Sequence, residues 1–179
     1  MLKLVLLVVA CFAIFTLAAA LLRHRGGAGA IGLPYRLATP LFSPAERSFL
    51  GVLDVAVGPG HRVFGKVRVA DLAQPKPGLG ASARQAALNR VASKHFDFVV
   101  CRADDLGVVC AVELNDRSHA SRRAQARDAL LAQVCATIGL PLLVLEARQA
   151  YQPQEIARQF AAVVAAGQQR SEDLPKSLA

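Results

Sequence analysis

Two acids stand where strand chemistry disfavours them. Asp97 lies inside His95-Phe96-Asp97-Phe98-Val99-Val100, and Glu113 lies inside Val108-Val109-Cys110-Ala111-Val112-Glu113-Leu114. Carboxylates are depleted in strands, and a buried one without a partner costs several kcal/mol or shifts its pKa. Side chains alternate along a strand, so parity decides which residues share a face. If the two runs form a hairpin with Asp97 opposite Glu113, then Cys101 faces Val109 and the turn centres on Asp105. The two carboxylates then share a face with their Cβ atoms about 5 Å apart, and Asn115 follows on that face. Carboxylates this close repel each other. A divalent cation with oxygen ligands, typically Mg²⁺, relieves the repulsion and could polarise a phosphate and activate a water. The alternative is a structural pair, each acid bound to Arg, Lys or backbone amides.

Neighbouring residues suit the same chemistry. His119 follows the acids and could act as general acid or base, or be an ordinary polar residue near a helix start. Arg123 and Arg127 are four apart, so they share one side of the next helix and could grip phosphates, although such charge runs are commonly solvated faces. Arg84 and Lys94 could approach from the segment inserted before the hairpin. The net charge of +8 and a pI near 9.9 suit nucleic acid or anionic lipid and specify neither. The four cysteines show neither metal-ligand spacing nor a disulfide framework, which agrees with a reducing compartment. Parity puts Cys101 and Cys110 on opposite faces. A Walker loop, a GxSxG elbow, a zinc-finger pattern and a helix-turn-helix signature are all missing from the sequence.

The elements that must position these residues are legible in outline. Ser43-Pro44-Ala45-Glu46 reads as a capping box with Pro at the first helical position, and Gly58-Pro59-Gly60 ends that helix. Residues 62–72 read as a strand with Val63, Val67 and Val69 alternating with Arg62, Lys66 and Arg68. A short helix over 84–93 follows, then strands over 94–102 and 108–115 joined by an Asp/Gly-rich turn. A long helix over 118–138 stops at Gly139-Leu140-Pro141. Residues 142–145 are wholly apolar, which predicts a strand buried on both faces. A last helix spans 153–166. The domain is therefore expected over 43–167, with a polar tail over 168–179.

Upstream, Leu4 to Leu22 contains no charge, Pro or Gly. As a helix its 19 residues would span roughly 28 Å, close to the hydrocarbon thickness. Residues 1–25 thus read as a transmembrane segment with flanking charges, and 26–42 as a Gly/Pro-broken linker. Arg23 and Arg25 bias the C-terminal domain towards the cytoplasm. A cleaved signal peptide ending near Ala18-Ala19-Ala20 is the alternative.

The order α-β-β-β-α-β, with Asp in the second strand and Glu-x-Asx in the third, resembles the PD-(D/E)xK restriction-endonuclease-like superfamily. It is most similar to the very-short-patch-repair-like branch. The run that carries the resemblance is Phe96-Asp97-Phe98, Ala111-Val112-Glu113-Leu114-Asn115-Asp116, Ser118-His119, Arg127-Asp128 and Gly139-Leu140-Pro141-Leu142-Leu143. Pro44-Ala45-Glu46-Arg47 also looks like a bacterial subgroup of domains of unknown function often found behind a membrane segment. The resemblance implies a mixed central sheet flanked by helices, with one transmembrane helix before it in the inner membrane. It implies Asp97 and Glu113 as catalytic metal ligands, with Asn115 beside them and His119 assisting proton transfer. It also implies Mg²⁺-dependent hydrolysis of DNA or RNA. Asn115 departs from the branch's Asp, which leaves open a nucleic-acid-binding module of the same fold without turnover. A membrane-associated structural or interaction protein is the further alternative.

Overall fold

The computed structural model describes residues 11–18, 33–115 and 121–172. The chain divides into two compact units, Met1–Leu41 and Phe42–Ala179. In the first, residues 11–18 are helical and residues 33–40 have no regular structure. Among the described residues no helix is long and apolar enough to cross a membrane. Of the apolar stretch 4–22, all but 11–18 lies outside the described residues.

In the second unit, helix α1 (Pro44–Val57) starts on the expected capping box. Ser43 Oγ accepts the Glu46 N–H at 3.3 Å, and Glu46 Oε2 accepts the Ser43 N–H at 2.9 Å. Two of the helix's orphan amide donors are thereby satisfied. Phe49, Leu53 and Val57 recur every four residues and form its buried stripe.

Strand β1 (His61–Arg68) is shorter than the sequence predicts. Residues Val69–Leu72 form a helical turn, α2, instead of continuing the strand. The Val69 N–H donates to Lys94 O, and the Ala73 N–H closes the turn on Val69 O. This lets Val69 bury itself beneath the sheet. Helix α3 (Ala81–Val91), strands β2 (His95–Arg102) and β3 (Val108–Asn115), helix α4 (Arg122–Ile138), strand β4 (Leu142–Glu146) and helix α5 (Pro153–Glu172) complete the order. Helix α5 runs to Glu172, past Gly167, where a polar tail is expected.

The fold is mixed α/β, as the sequence predicts. The four strands lie in the order β1-β2-β3-β4. The pairs β1–β2 and β2–β3 are antiparallel, and β3–β4 is parallel. Phe98 pairs with Val112, Val99 with Ala111 and Val100 with Cys110, which is the register that sets Asp97 opposite Glu113. Cys101, however, pairs with Val108 rather than Val109, across a β-bulge. The turn is the cause. Arg102 grips Asp105 at 2.6 Å, Asp105 Oδ1 accepts the Gly107 N–H, and the Arg102 N–H donates to Gly107 O. The hairpin closes one residue tighter than a regular ladder allows, and β3 absorbs Val109 as the extra residue.

Each face of the sheet carries its own core. Phe98, Val100, Cys110, Val112 and Leu143 pack with Phe49 and Leu53 of α1 and with Ile156 and Phe160 of α5. On the other side, Val99, Cys101 and Ala111 pack with Leu131 and Cys135 of α4, Val91 of α3 and Val69. Cys101 and Cys110 are free thiols in different clusters, as parity requires. Strand β4 is not buried on both faces: Leu143 and Leu145 are, but Val144 is 50% exposed. An all-apolar run suggests a central strand, whereas β4 ends the sheet order among the described residues.

Candidate functional site

The β2–β3 pairing ends at Phe98 and Val112, and from there side chains replace it. The Asp97 N–H donates to Glu113 Oε1 at 3.2 Å, and the Leu114 N–H donates to Asp97 Oδ2 at 3.0 Å. Each acid thus binds the other strand's backbone. Both are buried, Asp97 at 8% and Glu113 at 3% exposure. These contacts are those of a structural pair. One atom does not fit it: Glu113 Oε2 is buried and has no hydrogen-bond partner. Arg127 Nη2 on α4 forms an ion pair with it at 3.6 Å, beyond hydrogen-bonding distance.

Two further residues complete the cluster. Lys66 sits in β1 between the pairs Gly65–Phe98 and Val67–Phe96, and so stands opposite Asp97. Its backbone is left-handed, with φ of 56°, which is uncommon for a side chain of this size. From there Nζ reaches Glu46 Oε1 at 2.6 Å and Asp97 Oδ1 at 3.3 Å. Glu46 has two tasks: Oε2 caps α1 and Oε1 holds Lys66. Phe42 packs beneath them. Its ring stacks on Phe98 at 5.7 Å between centroids, lies against Gly65, and faces Lys66 Nζ at 5.9 Å.

The electrostatics follow from this packing. Burial first, then the Asp97 charge, push Glu113 up to about 8, and Arg127 and the Asp97 amide only partly oppose them. Burial likewise raises Asp97, against the Leu114 amide and Lys66. Burial works against Glu46 too, but Lys66 and the Ser43 amide outweigh it and bring that carboxyl below its ordinary value. Lys66 is raised despite its partial burial, because two acids hold its ammonium.

Of the residues that the sequence singles out, the structure brings together Asp97, Glu113 and Arg127. Asn115 ends β3, half-buried; it pairs with Glu146, and its carbonyl accepts the Ala147 N–H at 2.8 Å. Arg123 is exposed one turn before Arg127, and Arg84 is exposed on α3. Lys94 precedes β2, with Nζ 3.3 Å from Ser93 Oγ. His119 lies outside the described residues, as does Asp116. Sequence reasoning misses Lys66, because parity along β1 puts it with Arg62 and Arg68. The signal for it is Gly65-Lys66 interrupting a Val-rich strand, since a strand glycine often marks a bulge or close approach.

Among the described residues no three His, Cys, Asp or Glu side chains are grouped to hold one ion. Mg²⁺ does not require three: it is commonly held by one or two carboxylates, keeping waters and phosphate oxygens as its other ligands. Glu113 Oε2, which lacks a hydrogen bond, together with Asp97 is a donor set of that kind. Comparison with known families gives a match over residues 38–163 to one described as a protein of unknown function (DUF2726). No curated protein and no solved structure matches the chain.

Proposed function

The chain belongs to the DUF2726 family, and we propose that it is a membrane-tethered, Mg²⁺-dependent phosphodiester hydrolase of restriction-endonuclease-like fold, acting on DNA or RNA. The observation that carries this reading is Glu113 Oε2, a buried carboxylate oxygen with no hydrogen-bond partner and only the Arg127 ion pair at 3.6 Å, beside a second buried carboxylate at the open end of a hairpin. Buried polar atoms in native folds are nearly always satisfied by protein, water or an ion, so this oxygen is a place that a bound cation would fill. The element order, the basic charge and the apolar segment over 4–22 support the rest. That segment would tether the domain at the cytoplasmic side of the inner membrane.

Asp97 and Glu113 would hold Mg²⁺, which when bound supplies a Lewis acid for a phosphate oxygen and lowers the pKa of a water. The chain's own groups act around it. Lys66 offsets the charge of Glu46 and Asp97. Arg127, 44% exposed at its side chain, can turn its guanidinium from Glu113 to a phosphate. His119 would transfer a proton, Asn115 would offer a neutral carbonyl oxygen, and Arg84, Lys94 and Arg123 would contact the nucleic-acid backbone. Asn115 also favours a second reading, a nucleic-acid-binding module without turnover, because an amide there brings neither charge nor a base.

The full chain, purified in detergent, is expected to cut DNA or RNA with Mg²⁺ or Mn²⁺. Asp97→Asn and Glu113→Gln should each lower the rate by about 100-fold or more, the usual scale for a group acting in the transition state. Salt-sensitive binding without cleavage would establish the second reading. Neither cleavage nor binding would sink both.

A further inference from the structure

Three carboxylates and two cations meet at one end of the sheet. Lys66 reaches the acids only because its backbone turns left-handed inside a strand, with the Phe42 ring beneath it. Its ammonium is not shared evenly, lying 2.6 Å from Glu46 Oε1 and 3.3 Å from Asp97 Oδ1. Asp97 Oδ2 is committed to the Leu114 N–H, so Oδ1 is the oxygen that Asp97 can offer to a cation. A divalent cation on Oδ1 and an ammonium at 3.3 Å from it are like charges a few ångströms apart, which a half-buried site tolerates poorly. The closer Glu46 contact gives the ammonium a place to withdraw to.

We infer that Lys66 is an internal counter-cation that competes with a divalent metal ion for Asp97 and withdraws onto Glu46 when the metal binds. This rests on the metal-dependent reading above and adds to it a competitor built into the chain. Glu46 then acts through Lys66, as a positioning residue and not a ligand.

The test is calorimetric titration of the full chain with Mn²⁺ or Mg²⁺ alone. Far-UV circular dichroism and metal-free melting report the fold of each variant. Lys66→Gln should bind metal about tenfold more tightly or better, the scale on which a neighbouring charge shifts cation occupancy. Lys76→Gln, which removes an exposed charge from a loop, should leave affinity nearly unchanged and so measures the general effect of net charge. Glu46→Gln should weaken binding severalfold, because Lys66 then rests on Asp97 alone, and that loss should vanish in the Lys66→Gln background. Binding by Lys66→Gln where the natural chain shows none also supports the competition. The proposal is overturned if Lys66→Gln binds no more tightly than Lys76→Gln, if neither the natural chain nor Lys66→Gln binds metal, or if the Glu46→Gln loss persists undiminished without Lys66. Tight metal binding without cleavage would overturn the hydrolase and leave the competition standing.

Discussion

At Glu113 the folded protein holds a proton that the unfolded chain has already lost. Its carboxyl titrates near 8 in the fold against 4.5 ordinarily, because of burial and then the Asp97 charge. Between those values the native state binds more protons than the unfolded state, so stability falls as pH rises. Asp97 is shifted in the same direction. Glu46 is shifted the other way, and its contribution fades only as pH drops below the carboxylate range. Metal-free protein is therefore expected to lose stability from about pH 4.5 to 8, with Glu113 alone contributing at most about 1.4 kcal/mol for each pH unit crossed. Glu113→Gln should flatten that slope and be the more stable form at pH 8.5. Urea midpoints with EDTA at pH 5.5 and 8.5 measure it; equal slopes in both proteins would refute the assignment. The three buried thiols are a contrast at the same scale. Burial pushes Cys110 to about 12 and Cys135 to about 11, which suits inert packing groups.

At the scale of elements, β1 holds the site together through close packing. The Phe42 ring occupies the space that a side chain at Gly65 would fill. Gly65→Ala should therefore destabilise by roughly 1–3 kcal/mol, the usual cost of overpacking. In a Phe42→Ala background the same substitution should cost far less, because the ring it strikes is gone. Chemical denaturation of the two single variants and the double variant tests this. Additive losses would mean that the ring does not set the requirement for glycine. The capping box is legible beforehand because it is a local, four-residue pattern. Phe42 is not: the sequence reads it as the end of a Gly/Pro-broken linker, and only the pairing of β1 with β2 brings Phe98 beneath it.

At the scale of the whole molecule, the chain divides into the units Met1–Leu41 and Phe42–Ala179. The acid cluster belongs wholly to the second unit, and the tether we propose belongs to the first. The full chain is expected to stay with the membrane fraction through alkaline carbonate extraction, and a chain lacking residues 1–25 to be released. Extraction of the full chain would refute the tether. Residues 26–41 lie between these parts, and Leu33, Tyr35, Leu37 and Leu41 within them are exposed.

Much of the outline follows from sequence alone. Local rules suffice for the capping box at Ser43, the stop at Gly139 and the two runs that form the hairpin. Strand parity suffices to put Asp97 and Glu113 on one face once they are taken as opposed, because a one-residue slip would turn two apolar faces to the wrong side, and the Phe98–Val112 pairing has that register. Tertiary structure decided what these rules cannot reach. The bulge at Val109 depends on how the Arg102–Asp105 turn closes, and the exposure of Val144 depends on which strand ends the sheet. Lys66 enters the site because a left-handed residue in β1 faces an acid on the neighbouring strand, 31 positions later, with a helix-capping glutamate behind it. Composition records three acids and two cations as scattered charges. Only the folded chain pairs those charges with one another and leaves one carboxylate oxygen, Glu113 Oε2, without a hydrogen bond.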